Sequence, residues 1–347
     1  MALRIGIAGA GVLGRLLAYT LSRAGHAVQV FDPASGPGPR ADSGSLAAGW
    51  TAAGMLSPVA ELERAGNEVF ALGLRSCQLW PQIVQSLSQP VALHMQGSLL
   101  LAHRSDAGAA QRVVGLLQAK ADAPYQPQPL SLPQLCELEP SISGPALAWL
   151  LPSEGQIHPI QTLQALAAQA TAQGTQWHWG RTVTAVDVGV IGVGEVQHRF
   201  DHVFDVRGAG AKPALPVRGV RGEVFWLHAP GVPLHRPVRL LHPRHSIYMV
   251  PRPDDVIVIG ASEIESEDRS PVSLRSTVEL LSAAHSAMPA LAEARVVHTE
   301  TNLRPALPDN LPVIRHRAGT TEINGLFRHG WLIAPALVEQ ALHELKL

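Results

Sequence analysis

The sequence predicts an α/β fold. A parallel-sheet domain is assembled from discontinuous segments, and an α+β domain with a mixed or antiparallel sheet fills the excursions between them. Three observations predict this. The chain opens on strand, helix and strand, with a glycine pattern at the first turn. Segments of similar character return over about residues 150–212 and again at the end. Between these returns lie runs of consecutive strands mixed with helices. The expected boundaries are 1–88, 146–212 and 304–347 for the first domain, and 89–145 and 213–303 for the second.

Residues 4–8 (RIGIA) form a short apolar run, read as a buried strand. Residues 12–24 have helical periodicity and stop at Gly25, a C-terminal cap. Residues 27–31 form the second strand, which closes on Asp32. Residues 33–58 make a loop rich in Gly, Pro, Ser and Ala, of a length that points to function or disorder. Residues 61–88 read as one or two helices, 91–102 as strand material and 109–119 as helix. Residues 140–159 read as irregular, and 160–173 as a helix ended by Gly174. Strands follow over 176–199, with a hairpin turn at Gly192 to Gly194, and over 202–206, running into Arg207-Gly208-Ala209-Gly210. Residues 223–227, 246–250 and 256–260 read as strands, and 273–287 as a helix. The last helix is expected over 335–345, with Pro335 in its first turn.

Composition excludes several function classes. Of 347 residues, 46% are hydrophobic and 16% charged, enough for a core and too little charge for a disordered chain. Lys+Arg number 27 against 28 Asp+Glu, so no basic field is available for nucleic acid or an anionic membrane. The 2 cysteines, Cys77 and Cys136, cannot build a disulfide framework or a four-thiolate site, and they suit a cytoplasmic location. Residues 1–17 superficially resemble a secretion signal, but Gly6, Gly9, Gly11 and Gly14 interrupt the apolar run. No stretch of about 18 apolar residues reads as a membrane span. Among the 16 histidines, His242 and His245 are three apart and His235 is close. No HExxH or Cys/His spacing accompanies them, so they read as loop residues and no metal is expected.

Gly9-Ala10-Gly11-Val12-Leu13-Gly14 is a GxGxxG pattern between a strand and a helix. Asp32 ends the next strand, where an acid hydrogen-bonds a ribose hydroxyl. Gly9 makes the turn, Gly11 admits backbone to a pyrophosphate and Gly14 lets the helix pack on the strand. The helix N-terminus supplies donors and positive dipole to phosphates. This pattern alone does not separate NAD from FAD. Three features favour FAD: the motif stands at the N-terminus of a split domain, strand 202–206 returns into a glycine turn at Gly208, and no second GxGxxG exists.

Further segments carry a resemblance over essentially the whole chain. They are Thr51-Ala52-Ala53-Gly54-Met55-Leu56-Ser57-Pro58, Tyr248-Met249-Val250-Pro251-Arg252, Gly260-Ala261-Ser262, Leu303-Arg304-Pro305 with Asp309 and Pro312, and Phe327-Arg328-His329-Gly330 with Ala334-Pro335. In order and spacing they resemble the D-amino-acid oxidase-like flavoenzymes, and within them the glycine oxidases of thiamine biosynthesis. The resemblance implies a Rossmann-like FAD-binding domain with an α+β substrate domain. It implies FAD held without a covalent bond, since no cysteine lies near the C-terminal flavin segment. Thr51, Ala52, Gly54 and Met55 would lie along the flavin ring, and the N–H groups of Gly330, Trp331 and Leu332 would face its N1/C2=O edge. Arg304 corresponds to the arginine that holds the substrate carboxylate, Tyr248 to the phenol that donates to it, and Arg328 to a second arginine near the flavin. A guanidinium offers a bidentate fork to a carboxylate. Each of these three residues also has a plain structural reading, as an ion pair, a core ring or a salt bridge.

The implied activity is oxidative deamination of a small amino acid, glycine or a D-amino acid. Hydride passes to flavin N5, giving an imino acid and, with oxygen, hydrogen peroxide. The alternative within the same fold is a D-amino-acid dehydrogenase passing electrons to a quinone or another carrier. A catalytically silent flavin protein is the rival from another class, and the Arg304/Tyr248 pair argues against it. The family often forms homo-oligomers, although no heptad here supports that independently. The sequence departs from the glycine oxidase pattern at Ser246, which replaces a histidine and follows His245, and at Glu263, Trp331 and Arg315. These departures bear on the substrate more than on the reaction.

Overall fold

The computed structural model describes residues 2–39, 47–242 and 246–347, the side chain of Ser246 excepted. A six-stranded sheet is ordered Val313–Arg317, Thr320–Asn324, His202–Asp205, Arg4–Ala8, Ala27–Asp32, Gln176–Trp179. All its neighbours are parallel except the Val313–Arg317/Thr320–Asn324 hairpin. Ile5 and Ile7 are fully buried at its centre, each worth about 1.5–3 kcal/mol of transfer energy. The helices Val12–Arg23, Pro159–Ala172 and Gly330–Leu345 pack together, and their apolar side chains share one core with this sheet.

An eight-stranded sheet is ordered Arg295–Ala306, Arg218–His228, Val256–Gly260, Ser246–Arg252, Val238–Leu241, Ser98–Ala102, Leu147–Leu151, Gln128–Leu130. Its pairs are antiparallel apart from Val238–Leu241 with Ser98–Ala102. The sheet is therefore mixed, as expected. Three differences from the sequence reading have physical causes. The stretch 140–159 is not irregular: Leu147–Leu151 pairs with Ser98–Ala102, and Gly155–Ile157 pairs with both Met55–Leu56 and Leu93–His94. Partners this distant leave no local signal. Leu147–Leu151 also stands in the large sheet, on the far side of the boundary expected at 146. The 12-residue strand Arg295–Ala306, which carries Arg304, escaped notice because its first five residues are exposed and show no alternation.

The third difference concerns the last helix. It starts at Gly330, so Pro335 lies inside it and not in its first turn. Proline has no N–H, which leaves the Trp331 carbonyl four residues earlier without a helical donor. The indole Nε1 of Trp80 donates to that carbonyl at 3.0 Å. The next N–H, from Ala336, donates to Ser76 Oγ at 3.1 Å. Both partners come from the helix Asn67–Gln85, which packs alongside. Tertiary contacts thus replace the helical bonds that proline removes.

Candidate functional site

A cavity of about 920 Å³ runs from the Gly9 turn to the face of the large sheet. At one end, Gly9 adopts φ +106°, and a Cβ there would meet the Val206 carbonyl at 2.7 Å. A Cβ on Gly14 would stand 1.9 Å from the Gly9 carbonyl oxygen, so helix and turn can pack only through glycine. Gly11 differs: its nearest neighbour would be Ala47 Cβ at 3.5 Å, and it lines the cavity. It is the N-cap of Val12–Arg23, which has no side-chain cap and no acid in its first turn. Its orphan N–H groups suit an anion. Asp32 accepts from the N–H groups of Ala10 (2.6 Å) and Ala34 (2.8 Å) and lines the same end. A carboxylate retains lone pairs for a ribose hydroxyl after two such bonds. Gly208 (φ +55°) also lines the cavity, behind the Asp205–Arg207 ion pair at 2.7 Å.

Along the cavity lie Thr51, Ala52, Gly54 and Met55. Gly54 has φ +65°, and a Cβ there would stand 2.1 Å from the Ile157 carbonyl. Thr51 Oγ1 donates to Glu300 at 2.7 Å and accepts from Asn302 Nδ2 at 2.9 Å. Arg252 donates to the Ala53 carbonyl. The segment is thereby tied to two strands of the large sheet, Arg295–Ala306 and Ser246–Arg252.

A further wall is one face of that sheet, on which Ala53 and Met55 pack against Val224 and Tyr248. Register places Arg239 opposite Tyr248, Tyr248 opposite Gly260, Gly260 opposite Val224 and Val224 opposite Glu300. Arg304 shares the face with Glu300 by the two-residue period. Two glycines make room for the large side chains. A Cβ on Gly260 would stand 2.5 Å from the Tyr248 hydroxyl, and one on Gly222 would stand 2.6 Å from the Arg304 guanidinium. Arg304 Nη1 donates to the Ser262 carbonyl at 3.0 Å. Burial lowers the Arg304 pKa, and Tyr248 and Glu263 oppose this. Burial pushes the Tyr248 phenol above its usual value, against the pull of Arg304, Arg239, Arg252 and Arg328. The ring therefore stays a neutral donor.

Arg328 lies near both residues but is already engaged. Its Nε is 3.0 Å from Glu61 Oε2 and its Nη1 is 3.3 Å from Glu263. Burial would lower its pKa, but Glu61 and Glu263 outweigh that and raise it. Glu61, unnoticed in the sequence, is nearly buried and also meets Arg239 Nη2 at 2.7 Å and His329 Nδ1 at 3.3 Å. Burial favours its neutral form, yet Arg328, Arg239 and His329 hold it far below the usual carboxylate range. Burial also lowers His329, so its imidazole is neutral near pH 7. Arg239 was likewise missed. Glu61 stands 178 residues from Arg239 and 267 from Arg328, and its sequence neighbours give no local hint of either.

Gly330, Trp331 and Leu332 line the cavity at the start of the last helix, which again lacks a side-chain cap and an acid in its first turn. The Trp331 indole donates to the Gly49 carbonyl at 3.1 Å and lies against Trp80. Two bare helix N-termini therefore face one cavity, a fit for a group with a pyrophosphate and a ring that gathers negative charge. The residues fit FAD. Neither cysteine lines the cavity, and burial with the nearby Glu154 pushes the Cys77 thiol up to about 12. Of the histidines read as loop residues, His235 contacts Glu139 at 3.2 Å, and His245 lies outside the described residues.

Comparison with known proteins agrees with this geometry. The family described as FAD dependent oxidoreductase matches residues 4–341. A Rhizobium etli oxidoreductase assigned to thiamine biosynthesis is 36% identical over 345 residues, covering 99% of this chain and 96% of that protein. The glycine oxidase of Geobacillus kaustophilus is 25% identical over 364 residues, covering 95% of this chain and 89% of its own. The crystal structure of the Geobacillus enzyme superposes with a TM-score of 0.83, covering 99% of this chain and 95% of that one. The L-proline dehydrogenase of P. horikoshii, at 16% identity and a TM-score of 0.77, shares the fold.

Proposed function

We propose, from the premise that this chain belongs to the FAD dependent oxidoreductase family, that it oxidises the C–N bond of a small amino acid and passes the electrons to oxygen. The observation that carries this reading is the pair of Arg304 and Tyr248 on one sheet face, lining the same cavity as the bare N-terminus at Gly330. Bound FAD would supply a two-electron acceptor. Gly9, Gly11, Gly14, Asp32 and Gly208 would hold its nucleotide end, and Thr51 to Met55 and Gly330 to Leu332 its ring. Arg304 would fork onto the substrate carboxylate and Tyr248 would donate to the same group, fixing the α-carbon against the ring. Arg328, braced by Glu61, would add positive charge near the ring. Burial of this end keeps water from the reacting bond and strengthens each of these contacts. The parallel and the mixed sheet would form the FAD and substrate domains respectively. The relative named as a glycine oxidase supports glycine as a substrate.

The test is anaerobic. The purified, FAD-loaded protein should bleach on addition of glycine or a small D-amino acid and recover its colour when air is admitted. Recovery only with a quinone would move the reading to a dehydrogenase. Replacing Arg304 with Ala should raise the substrate concentration needed for bleaching at least about 100-fold. An unchanged requirement would remove Arg304 from its role.

A further inference from the structure

We propose that Arg239 forms a second anion-binding position beside Tyr248, and that the preferred substrate is an amino acid carrying a second carboxylate. The inference rests on the reading of Arg304 as the holder of the α-carboxylate. Arg239 lies directly opposite Tyr248 across an antiparallel pair, so both side chains stand on the same face and both line the cavity. Its side chain is only 12% exposed. A guanidinium has five N–H donors. Among the described residues the only acceptor for those of Arg239 is Glu61, through Nη2, and its Nε is buried with no partner. Glu61 does not need Arg239 to itself, since Arg328 and His329 contact it as well.

Charge points the same way. Four guanidinium groups act on Tyr248: Arg304, Arg239, Arg252 and Arg328. Two carboxylates, Glu61 and Glu263, pair with members of this set. Glu154 also lies near Arg239, but burial raises its pKa and favours the neutral carboxyl. At the rim Arg64 and Glu63 pair with each other at 3.8 Å. Arg252 does not line the cavity and donates to the Ala53 carbonyl, so the groups that face the cavity at this end are Arg304, Arg239 and Arg328 against Glu61 and Glu263. An α-carboxylate on Arg304 meets one guanidinium, and Glu61 is shared among Arg239, Arg328 and His329. The Arg239 donors that Glu61 leaves open can take the side-chain carboxylate of an amino dicarboxylate, which glycine lacks. Buried charge of one sign is costly unless a ligand brings its complement.

Two measurements on the FAD-loaded enzyme test this. The first compares kcat/KM for anaerobic bleaching by D-aspartate and D-glutamate with that for glycine and D-alanine. The second titrates the visible spectrum with malonate and with acetate, which bind without being oxidised. Dicarboxylates should win by about tenfold or more in both, and Arg239→Met should bring both ratios near one. Arg239→Lys, which keeps the charge on Glu61, should retain part of each preference and covers the case in which the Met variant does not load FAD. A wild-type ratio at or below one overturns the proposal, as does a ratio that survives in both variants. Loss of both substrate classes in equal proportion would make Arg239 a structural partner of Glu61 only. If no amino acid bleaches the enzyme, the carboxylate reading itself falls. A malonate preference sensitive to Arg239 would still uphold the second position in that case.

Discussion

Oε2 of Glu61 lies 3.0 Å from Nε of Arg328, and Oε1 of the same carboxylate lies 2.7 Å from Nη2 of Arg239. One buried acid therefore braces arginines from two distant segments against the sheet face that carries Tyr248. Replacing it should be felt in stability and in the site together. Glu61→Gln leaves two buried guanidinium groups without their shared counter-charge, which should cost about 3–5 kcal/mol in chemical denaturation at pH 7. The folded pKa of Glu61 is depressed, so its contribution is fully present above the unfolded value of about 4.3 and is lost as pH falls below it. The stability difference between wild type and variant should shrink from pH 7 towards acid. A difference that is constant with pH would show that the carboxylate charge is not the cause.

Tyr248 should act as a neutral donor throughout the working range, because burial raises its pKa beyond the ordinary phenol. Tyr248→Phe should lower kcat/KM by about tenfold, the loss of one hydrogen bond to a charged group. Any alkaline limb of the pH profile below pH 10 should remain in the variant. Its disappearance would mean that the phenol itself titrates there.

The close approach of Gly222 to Arg304 allows the roles proposed for Arg304 and for the Gly9–Gly14 turn to be tested separately. Gly222→Ala places a Cβ 2.6 Å from a guanidinium at the far end of a flexible side chain, so the chain folds and the arginine shifts. FAD content should stay near that of the wild type while KM rises about tenfold or more. Gly14→Ala puts its Cβ 1.9 Å from a backbone oxygen and should abolish FAD retention. Similar behaviour of the two variants would contradict the division of roles along the cavity.

Trp80→Phe removes the donor that serves the Trp331 carbonyl beneath Pro335, leaving a buried acceptor unpaired at a cost of about 1–3 kcal/mol. A double-mutant cycle with Pro335→Ala should show coupling, because alanine supplies a helical N–H to the same carbonyl. Additive effects would mean that the indole contributes only by packing.

How much of this was legible in the chain depended on the range of the cause. The Gly9–Gly14 turn could be read because backbone geometry within six residues dictates it, and Asp32 because it closes the adjacent strand. Arg304, Tyr248 and Arg328 became candidates only through resemblance; nothing local distinguishes them from other polar residues. Strand Leu147–Leu151 and the start of the last helix were misread because distant partners settle them: the Ser98–Ala102 strand in one case, Trp80 and Ser76 in the other.

By itself the sequence determined the Gly9–Gly14 turn, the α/β class and the absence of a strong charge bias, all consequences of short-range sterics and composition. Tertiary structure alone decided that Glu61 would be buried among Arg239, Arg328 and His329, and that Arg239 would stand beside Tyr248. Those relations arise from sheet register and from Coulomb forces between segments far apart in the chain, which hydrophobic period and local propensity do not encode.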